Sequence, residues 1–113
     1  MSTPTMLQLL ERREQICIAI KEIKTMRRGT LNEVFRYQEL KSGEIAQRGP
    51  FYNITTKTQK KTVTTAVPKE DVERVRQEVE NCHIFRKLSD EYIEVCEKIA
   101  LLTTSEDDEA KKN

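Results

Sequence analysis

Residues 50–67 read PFYNITTKTQKKTVTTAV, and they contain the clearest β-strand pattern in the chain. Six of the eleven residues from Thr55 to Thr65 are threonine, whose branched side chain suits a pleated strand and whose hydroxyl tolerates water. Apolar and polar residues alternate on both sides of Thr58-Gln59. We therefore predict a two-stranded β-hairpin over about residues 51–67, with its turn near Thr58-Gln59.

Both flanks of this hairpin show helical periodicity. Residues 6–26 place apolar side chains at steps of three and four, which predicts an amphipathic helix of about five turns. A similar stripe from Val72 to Leu102 predicts a helix of about thirty residues. We expect these two helices to pack antiparallel, in the manner of a coiled coil.

The segment between the first helix and the hairpin is predicted to be a short helix followed by a loop. Gly29 is expected to end the first helix, and Thr30-Leu-Asn-Glu33 matches a helix capping box. Leu31, Val34, Phe35 and Leu40 would line one side of this helix, and residues 41–50 would form the loop.

The predicted fold class is thus mainly α with a small β-hairpin. The long helices pack antiparallel, and the short helix and two-stranded ribbon lie at one end. We expect a single helical domain over residues 1–104 and a disordered, charged tail over residues 105–113. A chain with 5% aromatic residues has little core to bury, so its apolar helix faces also favour a homo-oligomer, with a homodimer as the simplest case.

The net charge of +1 conceals an uneven distribution of charge. Residues 24–61 contain nine basic and three acidic residues, a net charge of +6. Residues 69–113 contain eight basic and thirteen acidic residues, a net charge of −5. A basic segment attracts polyanions such as DNA or RNA, but it also attracts an acidic protein surface. The charge distribution leaves both kinds of partner open.

No pattern typical of catalysis or of metal binding is present. One histidine, His83, and three separated cysteines form no CxxC, HxxxH or HExxH motif, and the three glycines are too dispersed for a phosphate-binding loop. We predict that the protein is not an enzyme and has no catalytic residues, cofactor or metal site. Cys17, Cys82 and Cys96 are expected to be reduced structural thiols, and the apolar stripes around Cys17 and Cys96 predict that these two lie in the core.

The sequence contains no apolar run long enough to cross a membrane and no signal-peptide pattern. We therefore expect a cytoplasmic protein without membrane association.

If a nucleic acid is bound, the contact is predicted to use basic residues near Gly29, near the GPFY sequence and at the hairpin turn. Because no aromatic residue lies between the lysines, we expect contacts to phosphates. The predicted nucleic-acid-binding residues are Arg27, Arg28, Arg48, Lys57, Lys60 and Lys61.

The order RRGTLNEVFR, GPFY, a ribbon and AVPKEDVERVRQEVENCHIFRKL resembles a family of small prokaryotic proteins of unknown function. The resemblance covers about residues 27–92, and it rests on Arg28, Gly29, Thr30, Leu31, Glu33, Gly49, Pro50, Tyr52, Val67, Pro68, Lys69, Glu70, Val72, Val75, Asn81, Arg86 and Leu88. Members of that family typically have a cysteine cluster before a GPYY sequence, whereas this chain has YQELKSGEIAQRG there. Some members are linked to mobile elements or transposases.

Two functions therefore remain open from the sequence. The first is a non-enzymatic nucleic-acid-binding accessory protein that contacts phosphates through its basic hairpin end, and the resemblance links such a protein to mobile elements. The alternative is a helical, dimeric protein-interaction or scaffold module that does not bind nucleic acid.

Overall fold

The computed structural model describes the backbone of residues 3–111 and the side chains of residues 3–104. The elements along the chain are α1 (Met6–Glu22), β1 (Thr30–Glu39), β2 (Ile45–Thr58), β3 (Lys61–Val67), a 3₁₀ turn (Lys69–Asp71) and α2 (Val72–Lys111). They form two compact units. A helical unit combines α1 with α2 from His83 onward, and a sheet unit runs from Thr25 to Cys82. The predicted disordered tail, residues 105–113, lies outside the residues whose side chains are described.

The sheet has three antiparallel strands in the order β1-β2-β3. β3 pairs with β2 only from Lys61, opposite Thr58, to Val67, opposite Tyr52. The β1–β2 hairpin continues beyond this point to the pair Glu39–Ile45. Residues 35–48 therefore form a two-stranded extension of the sheet, which we call the arm.

The predicted fold class is wrong, because residues 30–39 form a third strand and not a short helix. Leu31 and Val34, which helical spacing would place on one side, have opposite orientations in β1. Leu31 packs against the core, whereas the neighbouring Asn32 side chain donates hydrogen bonds to the side chains of Asn53 and Thr55 on β2, both at 2.8 Å. These long-range contacts outweigh the local capping-box signal.

The predicted loop over residues 41–50 is also shorter than expected, because β2 begins at Ile45. The chain reverses between β1 and β2 in a tight turn, in which the Leu40 N–H donates to the Glu44 carbonyl at 2.7 Å. The β2–β3 connection is a two-residue turn, in which Gln59 and Lys60 both have positive φ. Positive φ at both positions matches the right-handed twist of the flanking strands.

One face of the sheet is covered by the first turns of α2. Val75 is the best buried residue of this contact, with 1% of its surface exposed. Among the described residues only this face is covered, and the apolar core of the sheet is formed by Ile54, Val67, Val72, Val75 and Val79, with Leu31 and Tyr52 at its margin.

The helical unit has a separate core around Leu9, Ile16 and Val95. Leu9 lines a cavity with Leu101 and Leu102, whereas Ile20 lines one with Phe85, so the two helices run antiparallel. The α1 helix starts at a capping box in which Thr5 and Gln8 bond each other's backbone N–H groups. Within residues 3–111, no helix is long and apolar enough to span a bilayer.

Candidate functional site

The face of the sheet that α2 does not cover is polar and accessible, and we call it the open face. The pairing register assigns residues to it, since directly paired side chains share a face. It consists of Thr30, Asn32, Val34, Arg36 and Gln38 on β1, Ala46, Arg48, Phe51, Asn53, Thr55 and Lys57 on β2, and Thr62, Thr64 and Ala66 on β3.

Hydrogen bonds between side chains cross the open face from strand to strand. Asn32 links β1 to Asn53 and Thr55, and the Thr55 hydroxyl lies 3.5 Å from that of Thr64 on β3. These bonds hold the polar side chains in fixed positions on the pleated surface. The open face is therefore an ordered hydrogen-bonding surface.

The open face contains three cations and no carboxylate among its residues, all of which are described. Arg36, Arg48 and Lys57 are exposed, and none of them forms an ion pair with a described residue. The acidic residues of β1, Glu33 and Glu39, have the opposite orientation. The positive potential of this face is therefore not neutralised locally.

Arg36 and Arg48 are directly opposite each other across β1 and β2. Like charges in a directly opposed cross-strand pair repel each other and lower the stability of the sheet. Arg36 is partly stabilised by the ring of Phe51, whose centroid lies 4.9 Å from its guanidinium carbon. An anion placed between the two guanidinium groups would relieve the repulsion.

A concave site lies beside this pair, where β3 ends. Its volume is about 410 Å³, and its lining includes Arg36, Phe51, Asn53, Thr64 and Lys69. Phe51 is 43% exposed, so part of its ring is accessible to a ligand on this face. The site combines an aromatic surface, amide and hydroxyl groups, and cations at its rim.

The sequence-predicted residues fall into separate groups on the sheet unit. Lys57, Lys60 and Lys61 lie together at the β2–β3 turn, although Lys61 pairs with Thr58 and has the orientation opposite to that of Lys57. Arg48 is nine residues away from Lys57 along β2, a separation of about 30 Å in an extended strand. The structure therefore brings the three lysines together and places Arg48 with Arg36 on the arm.

Arg27 and Arg28 precede β1 and differ in their surroundings. The Arg27 backbone N–H donates to the Glu78 carbonyl at 3.0 Å, and its guanidinium lies 3.3 Å from the Glu78 carboxylate. This residue therefore attaches the start of β1 to α2. Arg28 is exposed and forms no ion pair with a described residue.

Two residues of the candidate site, Arg36 and Phe51, are not among the six residues predicted from the sequence. Both depend on β1 being a strand, because Arg36 faces Arg48 and Phe51 only through the β1–β2 register. The signal that could have found them is the strand-forming composition of Val34-Phe35-Arg36-Tyr37, in which three of four residues are β-branched or aromatic.

The three cysteines are free thiols in different surroundings. Cys82 is buried and Cys96 is half-buried, but Cys17 is exposed, so its predicted position in the core is wrong. Within the described part of the chain, no group of three or more His, Cys, Asp or Glu side chains could hold a metal ion.

Comparison with family models, curated proteins and solved structures finds no match to this chain.

Proposed function

We propose that this protein is a non-enzymatic nucleic-acid-binding protein that contacts phosphates through its sheet unit. The observation that carries the proposal is the open face, which holds three cations without an ion pair to any described residue, hydroxyl and amide groups, and no carboxylate. Residues 25–67 as a whole contain eight basic and three acidic residues, a net charge of +5. Such a surface concentrates polyanions and neutralises phosphates.

Two groups of cations would make the phosphate contacts. Arg36 and Arg48 form the arm group, and Lys57, Lys60 and Lys61 form the turn group. Their separation of about 30 Å along β2 suits an extended polyanion that crosses the sheet unit, because no compact ligand would reach both groups.

The proposal predicts a salt-dependent affinity. Each neutralised phosphate contributes a slope of about 0.9 log units of binding constant per log unit of salt on duplex DNA, and about 0.7 on a single strand. Replacing both Arg36 and Arg48 by Gln should weaken binding and flatten the slope by about 1.4 to 1.8. The triple Gln variant of the turn group should flatten it by about two to three.

A matched control removes two charges from the helical unit. Lys21 and Lys87 are exposed there, and replacing both by Gln changes the net charge by the same amount as the arm variant. Titration of a labelled oligonucleotide from about 50 to 200 mM salt would compare the variants. Absence of binding by the parent at low salt, or equal slopes for the arm variant and this control, would refute the proposal.

The resemblance to a small prokaryotic family, some members of which are linked to mobile elements, supports a cytoplasmic accessory role on DNA. The lack of the family's cysteine cluster removes any thiol or metal chemistry at the β1–β2 turn from this proposal. RNA fits the same phosphate chemistry, so the titration should use both nucleic acids.

A second candidate function, a homodimeric interaction module without nucleic-acid binding, is favoured by one observation in the helical unit. Positions spaced alternately by four and three along α2 form an uncharged stripe at the margin of the core, against which Tyr92 and Ile99 pack. The stripe consists of Phe85, Ser89, Tyr92, Cys96, Ile99 and Thr103. Phe85, Tyr92 and Ile93 line a groove of about 370 Å³ with Cys17 and Ile20. Such a continuous heptad stripe suits a second copy of the helix pair.

Sedimentation equilibrium at about 100 µM tests this dimer, since association stronger than roughly −5.5 kcal/mol would be visible. Ile93 is 55% exposed, and replacing it by Glu should give a folded monomer. A parent that is monomeric at this concentration would refute the dimer.

A further inference from the structure

The concave site exists because β3 is shorter than β2. The last pair of the two strands is Tyr52–Val67, and the chain then turns away through Pro68 and Lys69. Beyond this pair, Phe51 and Pro50 have no neighbour from β3. The site therefore extends from the open face to the exposed edge of β2, with Arg36 on one side and Pro68 and Lys69 on the other.

The residues that line the site suit a nucleic-acid base, which has a flat ring and polar edges. The guanidinium of Arg36 lies over one face of the Phe51 ring, 4.9 Å from its centroid, and the two groups together form one planar surface on which a base can stack. Asn53 accepts the Asn32 hydrogen bond through Oδ1, so the N–H groups of its amide can donate to a base edge. The hydroxyl of Thr64 can either donate or accept. Lys69 and Arg48 can contact the phosphates on either side of such a base.

From these contacts we infer that the concave site holds one unstacked base of a single-stranded nucleic acid, with the adjacent phosphates on Arg36–Arg48 and Lys69. The inference rests on the proposed nucleic-acid-binding function and specifies its ligand.

Duplex DNA fits this site poorly for two reasons. Bases within a duplex are stacked on one another, so none is available to Phe51 in a recess on the sheet face. The three-stranded part of the sheet also carries α2 on its other face, so it cannot enter a groove as a bare ribbon. A single strand, by contrast, can place a base in the recess while its backbone follows the cations.

A tryptophan probe tests the base contact directly. The chain contains no Trp, so Phe51→Trp gives a single fluorophore in the concave site. Oligonucleotides of about 15 residues, as oligo(dT), oligo(U) and a duplex of equal length, are titrated at low salt. We expect both single strands to quench the Trp emission by stacking and the duplex to bind more weakly with little quenching. A stronger effect of oligo(U) than of oligo(dT) would identify RNA, through its 2′-hydroxyls, as the preferred strand.

A pair of leucine variants separates stacking from general packing. Phe51→Leu keeps an apolar side chain but removes the ring, and it should weaken single-strand binding by about five- to 150-fold, the range for loss of one stacked base. Phe35 has the opposite orientation on the arm and is exposed to nearly the same extent, 40% against 43% for Phe51. Phe35→Leu is therefore the matched control and should leave the affinity unchanged. Far-UV circular dichroism checks that both variants are folded.

The outcomes distinguish this inference from the proposed function. Equal effects of the two leucine variants, or duplex binding as tight as single-strand binding, would overturn the base site while leaving phosphate binding by the sheet unit in place. Failure of the parent to bind any of the three oligonucleotides at low salt would overturn both.

Discussion

Replacing Gly29 by Ala tests the packing of the chain just before β1 against β2, at the position where the sequence predicted the end of a helix. Gly29 has a φ of +130°, which L side chains rarely adopt, and an added Cβ would lie 2.8 Å from a carbon of Ile54, 2.9 Å from a methyl of Thr56 and 3.0 Å from the Thr55 carbonyl. Alanine at this position would therefore have a strained backbone conformation, and its Cβ would clash with β2.

The matched control is Gly43→Ala in the β1–β2 turn. Gly43 has a φ of +86°, but an added Cβ would have no atom within 4 Å. Gly43→Ala should therefore lower the free energy of unfolding only through backbone strain, by about 1–2 kcal/mol. Gly29→Ala should lower the free energy of unfolding by the same amount and by about 1–3 kcal/mol more, because the added Cβ would be overpacked against the β2 backbone. The total loss should be about 2–5 kcal/mol.

Urea unfolding followed by far-UV circular dichroism measures both losses in free energy of unfolding. Hydrogen exchange of the β1 and β2 amides shows whether the loss at Gly29 is confined to the sheet. If Gly29 ended a solvated helix, its replacement would cost no more than that of Gly43. Equal losses for the two variants would therefore refute the close approach of Gly29 to β2.

Two further predictions concern the core of the sheet unit and an ion pair of the helical unit. Val75→Ala removes two methyl groups from the centre of the sheet core and should lower the free energy of unfolding, measured by urea titration, by about 2–3 kcal/mol. Val63 is 50% exposed, so Val63→Ala should lower it by less than about 1 kcal/mol. Similar losses for the two variants would contradict the assigned core. In the helical unit, the Arg12 guanidinium bonds the Glu91 carboxylate, with Nη2 2.6 Å from Oε1, and this bond holds the pKa of Glu91 below its ordinary value of 4.5. A lowered carboxyl pKa stabilises the fold above the unfolded-state value and loses that effect as pH falls through the folded value. Glu91→Gln should therefore lower the unfolding midpoint at neutral pH, and its difference from the parent should shrink below pH 4.5; a pH-independent difference would contradict the ion pair's contribution.

The elements with strong local signals could be predicted from the sequence. The β2–β3 hairpin follows from its threonine-rich alternation, and its turn at Gln59-Lys60 lies within one residue of the predicted position. Both long helices follow from apolar residues spaced by three and four. In these segments, local propensity and tertiary packing favour the same structure, so the local pattern was sufficient.

β1 could not be predicted in the same way, because its local sequence is compatible with both a helix and a strand. Thr30 and Glu33 can form a capping box, and Leu31 with Val34 fits a helical face. The strand is decided by partners more than twenty residues away, such as Asn53 and Thr55, that pair with Asn32. The same error hid the candidate site, since Arg36 meets Arg48 only through this register.

The threonine-rich composition of the sheet is better explained by the proposed polyanion binding than by a need for solubility alone. An exposed strand face can be kept soluble by alternating basic and acidic residues, which also stabilise each other in cross-strand pairs. The open face instead combines Thr55, Thr62 and Thr64 with cations that form no ion pair with a described residue. Two of these cations, Arg36 and Arg48, are directly opposite and repel each other. Hydroxyl groups provide solubility without adding negative charge, so they preserve the positive potential of the face. Because α2 supplies the apolar core on the opposite face, the open face needs no apolar core of its own and can keep this polar composition for a ligand.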